Sequence, residues 1–306
     1  MLKYAFKRIL QLIPMLLILS LIVFLMVRLI PGDPVANMLG VDVPPEMVET
    51  ERERLGLNDP LPVQYFRFMN DLFHGDLGTS IVTGKPVVKE LIKRYPPTFV
   101  LAIGGTVVAS ILGILLGIVA AINHNKFWDN FIMVISLVSV STPSFFLALL
   151  LMLIFSLYLG LLPSIGLKSP LHAILPVFTL GIGAVGFITR TTRSAMLDVI
   201  NQDYIRTSRS KGVPDQIIIY SHAFKNAMIP VLTAVGLRFG SLLAGATLVE
   251  TVFSVPGIGR FMVDAVSKRD YPVVQGCILV LAVTFVTVNT IIDLLYSAVD
   301  PRIKYE

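Results

Sequence analysis

The chain has 306 residues, 55% of them hydrophobic and only 15% charged, whereas a soluble domain carries roughly 25% charge. That balance points away from a soluble enzyme, and a net charge of +5 held in loops reads as orientation in a bilayer rather than affinity for nucleic acid. The single cysteine, Cys277, rules out an internal disulfide and a cysteine metal site, and His74, His124, His172 and His222 are scattered without ligand spacing.

A helix needs about 20 apolar residues to cross a bilayer, and six stretches qualify. The first is Ile9 to Ile30. Its apolar run is too long for the core of a secretory signal, and Pro31-Gly32-Asp33-Pro34 follows it where a cleavage site would need small residues. A polar region with helix-like runs at Glu46–Leu55 and Val63–Phe73 comes next. The second span is Pro97 to Ile122. The third runs from Phe131 to about Leu159 and is long enough to tilt or to bend at Pro143. The fourth, from about Ala173 to Ile188, is short and glycine-rich. The fifth runs from about Ala227 to Val249 and the sixth from Val273 to Ser297. The chain thus divides into 1–30, an N-terminus with the first span; 31–96, an external region; and 97–306, a five-helix core with a polar loop at about 190–226.

Lysine and arginine set the orientation. Lys3, Lys7, Arg8, Lys126, the six basic residues of the polar loop, Arg302 and Lys304 share one side, twelve in all, against Lys168, Arg260, Lys268 and Arg269 on the other. The region between the first two spans is too long for the rule to weigh. The expectation is an all-α, polytopic membrane protein with six transmembrane helices and both termini cytoplasmic.

Helices in lipid associate through small residues. Gly105, Ala109, Gly113 and Gly117 repeat every four positions in the second span, and Gly236, Gly240 and Ala244 do so in the fifth. These ridges suit internal packing or a face toward a second membrane subunit. Arg238 lies near the middle of the fifth span, where a charge is costly and needs water or a partner; it is a candidate for a translocation pathway or an internal ion pair. Asn289 and Asp293 share a face of the sixth span, near its cytoplasmic end, where an anchoring role fits.

The polar loop reads as two short helices. Tyr204 to Lys211 has helical composition, Gly212 supplies a stop, and Pro214 suits the first turn of a second helix running to Phe224. Arg206 and Arg209 lie one turn apart on the first helix; Ile217, Tyr220, Ser221 and Phe224 share a face of the second. This arrangement suits docking of a cytoplasmic protein better than binding of DNA by a turn tethered at both ends in a membrane.

The segment Arg206-Thr207-Ser208-Arg209-Ser210-Lys211-Gly212 resembles the Arg-Thr-Ala-Arg-Ala-Lys-Gly form found in the dipeptide/oligopeptide branch of ABC importer permeases, from which it departs by two serine-for-alanine exchanges. Of that superfamily's general Glu-Ala-Ala-three-residues-Gly pattern, the glycine alone is kept. The resemblance covers the whole chain through Lys7-Arg8, Pro31-Gly32-Asp33-Pro34, Leu55-Gly56-Leu57, Gln64-Tyr65, His74-Gly75-Asp76-Leu77-Gly78, Glu250-Thr251-Val252-Phe253, Pro256-Gly257-Ile258-Gly259, Arg269-Asp270-Tyr271-Pro272 and Asp300-Pro301-Arg302-Ile303. It implies a type I importer permease fold in the inner membrane. It also implies a second homologous permease, two ATP-binding subunits and an external solute-binding protein as partners.

Within that resemblance Tyr204, Arg206, Thr207, Arg209, Lys211, Gly212, His222 and Phe224 form the ATPase-coupling loop, Arg238 belongs to the pathway, and Phe253, Pro256 and Gly257 are candidates for binding-protein contact, as is the external region. The chain has no Gly-x-x-x-x-Gly-Lys-[Ser/Thr] loop, since Gly84-Lys85 is followed by proline and lacks the earlier glycine. It shows no nucleophile–base motif either. ATP and magnesium are therefore expected in the partner subunits, with no cofactor in this chain. The implied cargo is a dipeptide or oligopeptide, with glutathione or a nickel chelate as alternatives; an ion-driven carrier or channel is the rival reading.

Overall fold

A computed structural model describes residues 2–29, 35, 44–54 and 56–299. Pro31-Gly32-Asp33-Pro34, Leu55, Asp300-Pro301-Arg302-Ile303 and Lys304 lie outside the described residues, as do the side chains of Lys3, Lys7, Arg8 and Asp293. The regular secondary structure of the described residues is helical, joined by turns and short loops, with one isolated bridge between Thr79 and Pro86.

In chain order the helices are α1 (Leu2–Leu29), α2 (Pro45–Arg54), α3 (Leu61–Phe73), α4 (Val87–Ile122), α5 (Phe127–Ser141), α6 (Ser144–Tyr158), α7 (Pro170–Ile200), α8 (Asp203–Ser210), α9 (Asp215–Val252), α10 (Ile258–Ser267) and α11 (Tyr271–Val299). Four of them, α4, α7, α9 and α11, are long and apolar enough to cross a membrane by themselves, and α5 with α6 makes a broken fifth. The apolar part of α1 whose side chains are described runs over Leu10–Met26.

One of two sequence alternatives is met, and two departures follow, each with a physical cause. The third span bends at Pro143 rather than tilting as one rod. α5 and α6 meet at 102° across Thr142 and Pro143, because proline can neither donate its backbone hydrogen bond nor leave room for the preceding residue to stay helical. The second half of α6, Met152–Tyr158, is wound as a wider π-helix. The fourth span does not stop at Ile188. α7 continues to Ile200, so Arg190 and Arg193 are helical rather than part of a loop. The fifth span begins not at Ala227 but at Asp215, so the second short helix of the polar loop is the first three turns of α9.

The centre of the bundle is the α4–α7 pair, the most extensive helix contact in the molecule. The glycine ridge of α4 is the reason. A β-carbon on Gly105 would sit 3.0 Å from Leu180, on Gly113 2.7 Å from Ile188, and on Gly117 2.5 Å from Thr192; from the other side, one on Gly181 would meet Val108 at 2.8 Å. Backbones approach where side chains are missing, which is how helices gain contact in lipid. The ridge of α9 works the same way: Gly236 faces Ile292 and Gly240 faces Phe285, both on α11. The glycines of both ridges are thus spent inside this chain, whereas Ala244, which continues the second line, is exposed. Leu101, Ala109, Leu180, Ile188, Leu242 and Ala246 fill the core where α4, α7 and α9 meet.

The α4–α7 contact gives the first expectation. Gly117→Val should overpack the interface at a cost of about 1–3 kcal/mol, whereas Leu115→Val on the exposed face of the same helix should stay within about 0.5 kcal/mol. Melting temperatures of the two variants purified in the same detergent make the comparison; equal melting would refute tight contact at Gly117.

Candidate functional site

The polar turn at one end of the bundle is built around Gly212. Its φ is +75°, the left-handed region, and a β-carbon there would meet nothing within 4 Å. The glycine is needed for its conformation, not for space. The end of α8 is closed by Gly212 N–H donating to Arg209 O at 2.9 Å and Val213 N–H to Ser208 O at 3.2 Å, a Schellman-type stop. Pro214 then starts α9, with Ile217 and Ile218 N–H donating to its carbonyl.

One face of this turn is bolted to the bundle. Ile205, Ile218, Ala223 and Ala227 are buried against Met196 and Ala195 of α7 and Ile118 and Ala121 of α4. Ile218 and Ala223 share that face although they are five residues apart, because Ile218–Ala223 is wound as a π-helix. The other face is open. Tyr204, Ile217 and Tyr220 are 43%, 48% and 57% exposed, with Arg206, Thr207, Arg209, Lys211 and His222 exposed around them. Phe224 is half-buried, packed against the bolted side, and does not share the open face with Ile217 and Tyr220. Arg209 pairs with Asp215 across the turn at 3.4 Å, and the Tyr204 hydroxyl accepts a hydrogen bond from Asn226 Nδ2 at 2.9 Å.

At the opposite end a buried carboxylate organises the chain after α9. Glu250 is completely buried. Its Oε1 accepts from the Thr98 hydroxyl at 2.6 Å and its Oε2 from Arg260 N–H at 2.9 Å. The Thr98 oxygen in turn accepts from Ile258 N–H at 2.8 Å. Glu250 therefore occupies the N-terminus of α10, where the unpaired N–H groups favour a negative charge. Gly257 has no side chain because the Glu250 carboxyl fills the space a β-carbon would take. Phe253 is buried in the core and Gly257 beneath Glu250; of the three residues expected to meet a binding protein, Pro256 alone is exposed. Phe253 and Gly257 shape this turn from within and present no surface of their own.

A second clasp lies nearby. Asp270 is buried and holds the turn at Ser80, accepting from the Ser80 hydroxyl at 2.5 Å and Ile81 N–H at 3.1 Å. Sequence reading saw Arg269-Asp270-Tyr271-Pro272 without this partner, which stands 190 residues away. It missed a third clasp altogether. Asp129 at the start of α5, 1% exposed, takes two hydrogen bonds from Arg193 of α7 at 2.6 and 2.7 Å and one from Asn125 N–H. The only signal in the sequence is an acidic residue three positions after Lys126 and an arginine just past the fourth span, and nothing local links them.

Arg238 has no ion-pair partner among the described residues. Its guanidinium lies 4.2 Å from the centre of the Phe187 ring on α7. Asn289 is half-buried, and Asp293 lies outside the side chains described. Among the described residues no group of three or more His, Cys, Asp or Glu could hold a metal.

The family model described as "Binding-protein-dependent transport system inner membrane component" matches residues 113–305, and the model for the N-terminal part of such membrane components matches residues 1–102. The glutathione transport system permease protein GsiC of Salmonella paratyphi A is 44% identical over all 306 residues of both chains, and its namesake in Escherichia coli K12 is 43% identical over the same length. Among solved structures, the inward-facing MetNI methionine ABC transporter matches with a TM-score of 0.61 at 18% identity, over 69% of this chain and 96% of that one. An amino acid ABC transporter with histidines matches at 0.55 and 16%, over 69% and 94%. At those identities the two structures share the fold alone.

The Glu250 clasp should be measurable by itself. Thr98→Val keeps the volume but removes the hydroxyl that bridges Glu250 and Ile258 N–H, leaving buried polar groups short of a partner at a cost of about 1–3 kcal/mol. Thermal unfolding in detergent should fall accordingly, and unchanged unfolding would show that the hydroxyl holds nothing.

Proposed function

The chain belongs to the binding-protein-dependent transport system inner membrane component family and is a multi-pass inner-membrane permease of an ABC importer, and from that membership we propose how it works. It supplies six spans and both cytoplasmic termini to a pathway shared with a second permease. An external binding protein delivers the cargo, and two ATPases supply the energy, with ATP and magnesium bound in those subunits and not here. The cargo is a short peptide of the glutathione kind. The names of the full-length relatives favour that alternative over general peptide transport.

The observation that carries this reading is the two-sided turn at 203–223. Its buried side grips α4 and α7, and its open side offers Tyr204, Ile217 and Tyr220 with a rim of arginine and lysine. Apolar side chains clustered in the open and rimmed by charge are what a protein partner covers. The ATPase takes that face, and Arg206 and Lys211 meet its acidic rim. Because α9 runs unbroken from the turn to Val252, 38 residues or about 57 Å, motion of the docked ATPase passes along one rod to the far end of the bundle. Alternating access is then a shift between two packings biased by nucleotide and by the loaded binding protein.

The turn supplies the test. A residue with a side chain at φ +75° costs about 1–2 kcal/mol, with asparagine tolerated best and β-branched residues worst. Gly212→Val should therefore remain in the membrane at normal abundance but import labelled glutathione at least tenfold more slowly and retain less ATPase on purification. Gly212→Asn should keep most of both. Normal uptake together with full ATPase retention in Gly212→Val would refute the docking role.

A further inference from the structure

α4 and α9 each cross the bundle with one face uncovered, and the two faces differ in chemistry. From Val100 onward the exposed positions of α4 are Val100, Ile103, Val107, Ile111, Leu112, Leu115, Val119 and Ile122, all aliphatic. Hydrocarbon accepts such a face without cost. Along α9 the exposed positions Asn226, Pro230, Thr233, Leu237, Ser241, Ala244 and Leu248 follow the three- and four-residue spacing of one helical stripe. That stripe is polar or small along most of its length, which suits water or protein better than lipid tails.

Arg238 lies beside this stripe, 14 residues from Phe224 and 14 from Val252, the two ends of the regular α-helical part of α9, and so about 21 Å from either end. It is half-buried, and its guanidinium stacks on Phe187. Arg190 is exposed one turn further along α7 from Phe187, the ring that Arg238 covers, so both cations lie against the same stretch of α7. Among the described residues neither guanidinium has an acidic partner or a hydrogen bond. A cation at the depth of Arg238 without a counterion is expensive unless it faces water and something anionic visits it, and Arg190 adds positive charge on the neighbouring helix. A guanidinium is a cationic donor that pairs strongly with a carboxylate, and the Phe187 ring steadies that of Arg238.

We propose that Arg190 and Arg238, with Phe187 beneath Arg238, form a transient carboxylate site on the translocation face, favouring peptides that carry more carboxylate than amine, as glutathione does at neutral pH. The assignment deepens the importer reading above and rests on it. A lone pair of cations without an enclosing cavity binds weakly, and a transport site must also let its cargo leave.

The test uses the whole importer, both permeases, ATPases and binding protein, in proteoliposomes, with initial rates of ATP-dependent glutathione uptake. The binding protein is the same in every assay, so its own preference cancels in the ratio of variant to wild type. Uptake should fall in the order of charge at position 238: Arg238→Lys within threefold of wild type, Arg238→Gln at least tenfold lower, Arg238→Glu lower still. Arg190→Gln should fall at least fivefold. Arg238→Lys as impaired as Arg238→Gln would overturn the proposal, because shape rather than charge would then matter. So would wild-type rates in the Gln variants, or loss of the second permease from their purified complexes, which would make the arginines assembly contacts. A wild-type complex that retains its ATPases but takes up no glutathione would sink the cargo reading itself, a result visible before any variant is made.

Discussion

The approach of α4 to α7 is the constraint on which the rest of the molecule depends. At Gly105, Gly113, Gly117 and Gly181 the two backbones lie so close that a single β-carbon on either would force its neighbour aside. In a bilayer this closeness does the work that the hydrophobic effect does in water, because lipid tails compete on equal terms for every exposed leucine. With that pair fixed, α9 packs along it, and α11 packs on α9 through Gly236 and Gly240. The surface left over divides by itself into aliphatic faces for lipid and the mixed face of α9.

Close packing of small residues holds helices together but does little to align their ends, and the ends are where this chain spends its buried charges. Glu250, Asp270 and Asp129 are each nearly inaccessible, and each is satisfied by several donors rather than one. A buried charge with a missing partner would destabilise by far more than the pair contributes. Such a group therefore tolerates only one arrangement of the segments around it. Glu250 ties α4 and α10 to the end of α9, Asp270 ties the turn at 80–83 to the start of α11, and Asp129 ties α5 to α7. These carboxylates contribute register more than stability.

What the sequence made legible follows the same division. The four-residue glycine spacing in the second span announced a close helix pair, and Gly212 with Pro214 announced a sharp turn, because both depend on neighbours within a few positions. The extension of α7 to Ile200 was hidden, since Arg190 and Arg193 look like loop residues until Asp129, 64 positions earlier, is seen to neutralise the second of them. The π-wound segment at Ile218–Ala223 was hidden as well. Its composition is ordinary, and only the burial of Ile218 and Ala223 on one face reveals the wider winding. Glu250 and Gly257 stood out as parts of separate motifs, yet their relation is a matter of one filling the space the other leaves. Long-range complementarity of this sort has no local signal.

The π-helical stretch also bears on how force would travel through the proposed lever. A uniform α-helix from Asp215 to Val252 would rotate the exposed aromatic face of the turn relative to the buried face of the span by a fixed angle. The extra residue per turn at Ile218–Ala223 resets that angle, so that Ile218 and Ala223 can both seat against α7 while Tyr220 still points away. The π-wound stretch interrupts the α-helical hydrogen-bond ladder beside the turn, as Pro230 does further along, and is a soft point of a rod that is otherwise clamped by packing at its middle and by Glu250 at its far end. A push on Tyr204 and Tyr220 would be absorbed there if the turn were loose. The buried cluster of Ile205, Ile218, Ala223, Ala195 and Met196 surrounds that soft point and stiffens it. The rigidity of the proposed coupling element thus resides in the contact between α8, α9 and the end of α7 rather than in α9 alone. Under the proposed docking, the last three turns of α7, which read from sequence as loop, would take part in passing movement into the bundle.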